Sequence, residues 1–199
     1  MTVHEEFSVD LLEPGAARQP GLPDEVAALI NGVYATAERG LWPDGTTRTT
    51  PAEVAELIEA SEIAVAIQGG RIVGSLRLHD VGTDTSEGGL LVAAPDERGT
   101  GIGRALLDFA EGRSRRRGKR TMRLEVLVPR GWSHAGKEFL RAWYGRRGYR
   151  VSRIERFDHA YPQLAALLAT PCDLEIHEKQ LEEGTPPATP SGGESHGPR

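Results

Sequence analysis

The spacing of apolar residues changes period several times along the chain, and each change marks an expected element. Val26, Leu29, Ile30, Val33 and Ala37 recur at helical spacing, so residues 23–39 are expected to form an amphipathic helix. Pro23 suits its first turn, Asp24 and Glu25 its positive end, and Gly40 its stop. A second helix opens at TPAE (50–53), where Thr50 caps, Pro51 enters and Glu53 completes a capping box, with Val54, Leu57 and Ile58 as its apolar side. The period then falls to two. IAVAI (63–67) and RIVGSLRL (71–78) read as a hairpin turning at Gly69-Gly70, and residues 89–93 form a third short apolar run. Ile102, Leu106, Phe109 and Ala110 place a helix over 103–112, and the alternation of Met122, Leu124, Val126 and Val128 a strand over 121–128. A helix is expected over 138–146, ending near Gly148, and two closing strands over 149–157 and 173–181, with a short helix or turn over 161–169 between them. One more strand is expected at 6–11, followed by a turn marked by Pro and Gly.

The order β, α, α, β, β, β, α, β, α, β, β belongs to an α/β fold in which helices flank a mixed sheet. Residues 1–183 are expected to form one domain. The tail GTPPATPSGGESHGPR (184–199) lacks the apolar residues for a core and is expected to be disordered.

Charge adds an asymmetry. The net charge is −5, yet residues 98–153 carry sixteen Lys/Arg against four Asp/Glu, and the remainder carries eight against twenty-five. The central stretch can face an anion, or it can simply meet solvent. A single cysteine, Cys172, excludes an internal disulfide framework and reads as a buried small hydrophobe. MTVHEEFSVDLLEPG has no basic-then-apolar leader, and no apolar run has the length of a membrane helix, so a cytoplasmic protein without membrane partners is expected. Six scattered histidines show no ligand spacing, so no metal is expected. No G-x-S-x-G points to a serine hydrolase.

The chemistry concentrates in APDERGTGIGRAL (94–106). Gly99, Gly101 and Gly103 alternate between an apolar strand and a helix. The spacing fails the G-x-G-x-x-G dinucleotide fingerprint at Arg104, and no Gly-Lys-Ser/Thr follows for a P-loop. It fits R-x-x-G-x-G. Successive N–H groups of such a turn form a concave nest, the helix start adds its dipole, and Arg98 and Arg104 add charge, so the loop is built for a pyrophosphate.

LLVAAPDERGTGIGRALLDFAE resembles motif A of the GNAT superfamily of acyl-CoA-dependent N-acyltransferases, through Pro95, Arg98, Gly99, Gly101, Ile102 and Gly103. FLRAWYGRRGYRV resembles the family's motif B, through Trp143, Tyr144, Gly148 and Tyr149. The element order fits over residues 5–181. The resemblance implies a sheet of six to seven strands with about four flanking helices. It also implies acetyl-CoA in a V-shaped gap between two splayed parallel strands, here 89–93 and 121–128. The backbone of Leu91, Val92 and Ala93 would then pair with the pantetheine arm, and Arg98, Gly99, Thr100, Gly101, Ile102, Gly103 and Arg104 would hold the pyrophosphate. An N–H near Ala93 would polarise the thioester carbonyl.

The acceptor is expected to be an amine, which must lose a proton before attack. Glu87 is the candidate base: it stands where histone-acetylating members place theirs, and strict alternation puts it on one strand face with Gly89, Leu91 and Ala93. Asp84 is the next choice. Tyr144 matches the family's acid for the leaving thiolate, or is a packed aromatic beside Trp143. Trp42 lies in a region that lines the acceptor pocket in relatives, or packs. Many members carry Asn seven residues before the helix Tyr; this chain has Lys137. RSRRRGKR (113–120) reads as a solvated helix end, or as a contact to the cofactor's 3′-phosphate; nucleic acid is not an expected partner. A small-molecule amine is preferred over a peptide amine as acceptor, a non-catalytic acyl-CoA sensor is the reading from another class, and dimers among relatives leave a homodimer open.

Overall fold

The structure is a computed structural model that describes residues 6–181. The expectation for 184–199 lies outside the described residues.

Seven strands form one sheet in the order β1-β2-β3-β4-β5-β7-β6. They are β1 (Ser8–Leu11), β2 (Ile63–Gln68), β3 (Arg71–Asp80), β4 (Thr85–Ala93), β5 (Thr121–Pro129), β6 (Arg150–Arg156) and β7 (Cys172–Gln180). All neighbours are antiparallel except β4 and β5, whose connection is the crossover helix α3 (Ile102–Arg116). The other long helices are α1 (Leu22–Ala37), α2 (Pro51–Glu59) and α4 (Ala135–Arg146); α5 (Phe157–Ala160) and α6 (Pro162–Ala165) are single turns. The sheet is mixed, as the element order predicts.

The helices start where the sequence places their signals. Thr50 accepts from the Glu53 N–H at 3.2 Å, and Glu53 accepts from the Thr50 N–H at 2.8 Å, so the capping box is formed. Gly101 caps α3 at φ +97, a conformation open to glycine at little cost. α3 begins at Ile102 and α4 at Ala135, both earlier than their apolar periodicity suggests.

Two layers cover the sheet. On one face Val26, Ala27 and Ile30 of α1 and Val54 and Ile58 of α2 pack on Ile63, Val65 and Val92. On the other, Ile102, Leu106, Leu107 and Ala110 of α3 and Tyr144 of α4 pack on Leu76, Leu78, Met122, Leu124 and Val126. Each such side chain taken from water contributes roughly 1.5–3 kcal/mol. A third cluster joins Leu41 and Phe157 to Leu127, Leu174 and Ile176, and so seats α5 beneath the α1–α2 connection.

One local departure shapes the site. Ser75 pairs with Val92, but Arg77 pairs with Gly89, so β4 carries one extra residue there. Leu90 adopts φ +47 within this bulge. A bulge bends its strand and reverses the alternation beyond it. Leu90 and Val92 therefore turn to the α1–α2 face, and Leu91 and Ala93 to the α3 face. Strict alternation would have kept Glu87, Leu91 and Ala93 together; the bulge separates them.

Candidate active site

β4 and β5 pair only over Thr85–Thr121 to Gly88–Leu124. Beyond that point β4 stays with β3 as far as Ala93, while β5 stays with β7 as far as Pro129. The two parallel strands therefore separate into a V. Its closed end is packed by necessity: a Cβ on Gly88 would lie 2.9 Å from both the Leu124 and Met122 side chains. In the open half, the Ala94 N–H donates to the Val73 carbonyl at 2.8 Å, so the backbone of Ala93 points away from β3, into the gap. Val92 spends its backbone on β3 opposite Ser75, and Leu91 lies within the bulge.

The glycine loop stands beyond the open end of β4. Gly99 and Gly101 have φ +88 and +97, and a Cβ at either would meet nothing within 4 Å, so the loop is an open cradle. Thr100 folds back, its hydroxyl donating to the Glu97 carbonyl at 2.7 Å. Ile102 is buried and anchors the start of α3. Arg98 and Arg104 are exposed, and neither forms an ion pair among the described residues. N–H groups of a nest, a fifteen-residue helix start and two uncommitted guanidiniums suit a diphosphate.

Two carboxylates stand at the apex of the V, on the α1–α2 face. Glu87 pairs opposite Arg123, so Glu87, Arg123 and Glu125 point the same way. Glu87 accepts from Arg123 at 3.3 Å and lies 3.7 Å from His79 Nε2. Burial pushes the Glu87 carboxyl above its ordinary range, the charge of Glu125 pushes it further, and Arg123 offsets part of this. Burial and the charge of Arg77 hold His79 below the usual imidazole value. Glu125, the first β5 residue beyond the paired segment, accepts from the Tyr161 hydroxyl at 3.0 Å and has no cationic partner among the described residues. Sequence reasoning missed Glu125 and Tyr161. The available signal was a single acid within the apolar alternation of β5.

Tyr144 approaches from the other face. It is 5% exposed, packed among Trp143, Tyr149 and His177 at ring separations of 5.2, 5.8 and 5.8 Å. Its hydroxyl makes no hydrogen bond among the described residues. Burial raises its pKa, and Tyr34 of α1 adds to the shift from across the sheet. Behind Tyr144, Glu175 gathers His177 Nε2 at 3.1 Å and Arg141 Nε at 3.0 Å.

Residues 30–135, more than half of the chain, match the acetyltransferase (GNAT) family. The chain belongs to the GNAT acetyltransferase family. Solved GNAT-like structures superpose on it at low sequence identity. Ard1 from Thermoplasma volcanium gives a TM-score of 0.61 at 16% identity, over 89% of this chain and 99% of that one. N-acetylglutamate synthase from Neisseria gonorrhoeae, solved with coenzyme A and N-acetyl-glutamate, gives 0.61 at 18% identity, over 90% of this chain and 36% of that one. The ribosomal-protein-S18-alanine N-acetyltransferase from Escherichia coli gives 0.59 at 19% identity, over 91% of this chain and 97% of that one. No curated protein sequence matches significantly.

Within this GNAT acetyltransferase, several singled-out residues serve the scaffold. Lys137 is buried and its Nζ lies 2.5 Å from Glu38 Oε1, so the ammonium is turned inward and committed to that carboxylate. Trp42 is half-buried; its indole N–H donates to Glu38 Oε2 at 2.7 Å and its ring meets the edge of Phe157 at 6.1 Å. Asp84 is exposed beyond the closed end of the V and pairs with Arg120 at 3.1 Å. In the run 113–120, Arg117 and Lys119 bind Asp80 at 2.8 and 3.1 Å, and Lys119 also binds the carbonyls of Gly82 and Thr83. They tie the end of α3 to the β3–β4 turn, about 22 Å from the glycine loop at 1.5 Å per helical residue. Cys172 is buried and donates to the Thr170 carbonyl; burial raises its thiol to about 11. Among the described residues no helix is long and apolar enough to cross a membrane.

Proposed function

We propose that this protein transfers an acetyl group from acetyl-CoA to a primary amine by direct attack, with a small molecule as acceptor. The observation that carries the reading is the juxtaposition at the V: β4–β5 pairing stops at Gly88–Leu124, Glu87 stands at the apex on one face, and Tyr144 approaches on the other. The residues fit the co-substrate. The free edge at Ala93 suits the pantetheine amides, and the cradle from Arg98 to Arg104 suits the diphosphate. The N–H of Ala93 points into the gap, where a thioester carbonyl gains charge during attack.

Glu87 takes a proton from the incoming ammonium, directly or through water. The amine nitrogen then bonds to the thioester carbon and the C–S bond breaks. Tyr144 gives its proton to the departing sulfur, and the second proton shed by the nitrogen restores Tyr144. The net release is one proton, carried away from Glu87. The raised pKa of Glu87 strengthens it as a base, and burial keeps Tyr144 protonated at working pH.

The test is acetylation of a panel of amines by wild type, Glu87→Gln and Tyr144→Phe across pH. Loss of a positioned acid or base costs roughly 10²–10⁴ in rate. The base works only when ionised, so wild-type kcat/KM should fall as pH drops through a pKa above the ordinary Glu value. That acidic limb should vanish in Glu87→Gln. An unchanged rate and profile in Glu87→Gln would remove Glu87 from the mechanism.

A further inference from the structure

The connection between α1 and α2 brings a guanidinium to the acceptor side and fixes it there. Asn31 Oδ1 accepts from the N–H groups of Arg48 and Thr49 at 2.7 and 3.1 Å, and Asn31 Nδ2 donates to the Thr49 carbonyl at 2.9 Å. One turn further along α1, the Tyr34 ring lies 5.2 Å from the Arg48 guanidinium carbon. Asn31 and Tyr34 are three residues apart and share a helix face. An otherwise exposed segment is thus pinned at Arg48, whose guanidinium lies over the Tyr34 ring.

The charges around it are unbalanced in an instructive way. Arg77 is spent on Glu62 at 2.8 Å, and Arg123 on Glu87 and Glu178 at 3.3 and 3.6 Å. Arg48 forms no ion pair among the described residues. Across the site, Glu125 has the Tyr161 hydroxyl and no cation. Tyr161, the donor to Glu125, packs on Phe157 at 5.3 Å, and Phe157 meets Trp42 of the same α1–α2 connection at 6.1 Å, so the connection that carries Arg48 lies against the element that holds Glu125; both Arg48 and the two carboxylates act on the Tyr161 hydroxyl. A neutral or purely cationic acceptor would leave Arg48 unanswered.

We propose that the acceptor is a zwitterion, an α-amino acid, whose ammonium faces Glu87 and Glu125 while its carboxylate binds Arg48. Guanidinium and carboxylate match in a bidentate pair, and a planar fork held on an aromatic ring loses little freedom when it binds. This inference rests on the amine-transfer reading, and it adds a recognition element that transfer itself does not need.

The test measures thiol release from acetyl-CoA with the twenty common L-amino acids. For the best of them, the carboxamide and the amine lacking the carboxyl group are compared. Wild type should favour the amino acid over its carboxamide by about 30-fold in kcat/KM, the worth of one charge-assisted pair. Arg48→Gln should bring that ratio to within about threefold of unity, through KM rather than kcat, and Arg48→Lys should recover part of it. The ratio is internal to each variant, so a change in folded fraction does not affect it. Turnover of amines or peptide N-termini without turnover of amino acids would overturn the inference and leave the transferase reading standing. An equal loss on all acceptors in Arg48→Gln would do the same. No turnover of any amine would overturn the transferase reading, and this inference with it.

Discussion

Replacing Lys137 by methionine keeps the length of the side chain and removes an ammonium that is 4% exposed. Its partner Glu38 is 7% exposed, and the two lie 2.5 Å apart. After the substitution the Glu38 carboxylate keeps only the Trp42 N–H, at 2.7 Å. Leaving one charge of a buried pair uncompensated costs about 3–5 kcal/mol. In a domain of this size each kcal/mol moves the midpoint by about 2–4 °C, so Tm should fall by about 6–20 °C. The double variant Lys137→Met/Glu38→Gln carries no buried charge, and the new amide oxygen can still accept from the Trp42 N–H. It should regain most of the loss, since a buried pair removed whole is often close to neutral. Urea unfolding of wild type, both single variants and the double variant gives the coupling energy directly. A loss under about 1 kcal/mol in Lys137→Met, or a double variant as unstable as the sum of the singles, would refute the argument. Acetyl-CoA affinity at low temperature supplies the contrast: an ammonium turned inward predicts a small change, and a large one would place Lys137 on the cofactor.

Other predictions follow from the same geometry. Tyr144→Phe should lower kcat by about 10²-fold or more while changing stability by under about 0.5 kcal/mol, because the lost hydroxyl makes no hydrogen bond among the described residues; unfolding curves and steady-state rates together check it. Gly74→Ala places a Cβ 2.5 Å from Ile102 Cγ2 and 3.1 Å from the Val92 carbonyl oxygen, so it should cost about 1–3 kcal/mol and weaken acetyl-CoA binding by displacing the start of α3. Thermal unfolding and cofactor titration read the two effects. The kcat/KM profile of Glu87→Gln should lose the acidic limb that wild type shows, as rates measured across pH would reveal.

Much of this was legible in the chain. The glycine triplet, the capping box at Thr50 and the clean alternation of β5 each state a local preference that the packing obeys. Glu87 and Tyr144 were identified from their spacing to motifs, and the fold brings them to opposite faces of one gap. What escaped was set by neighbours. The first half of β4, Thr85–Gly88, lies outside the apolar run 89–93 because Ser86 and Gly88 are small and Glu87 is polar. Gly88 is small because Met122 and Leu124 already fill the space above it. The bulge at Leu90 leaves no mark in a run of apolar residues, yet it decides which side chains share a face with Glu87. Glu125 and Arg48 carry no motif; their meaning comes from the absence of a charged partner among the described residues, which only the assembled fold reveals. Lys137 read as a departure from a pattern, and the reason lies 99 residues away in Glu38.

The central claim is that the V and its glycine cradle hold acetyl-CoA. Calorimetric titration of acetyl-CoA into the wild-type protein, beside Arg98→Glu and Gly101→Asp, tests it most directly. The account predicts one site per chain in wild type and loss of binding in both variants, since each sets a negative charge against the diphosphate and Gly101→Asp also strains a position at φ +97. Absence of binding to wild type, or undiminished binding to both variants, would contradict it.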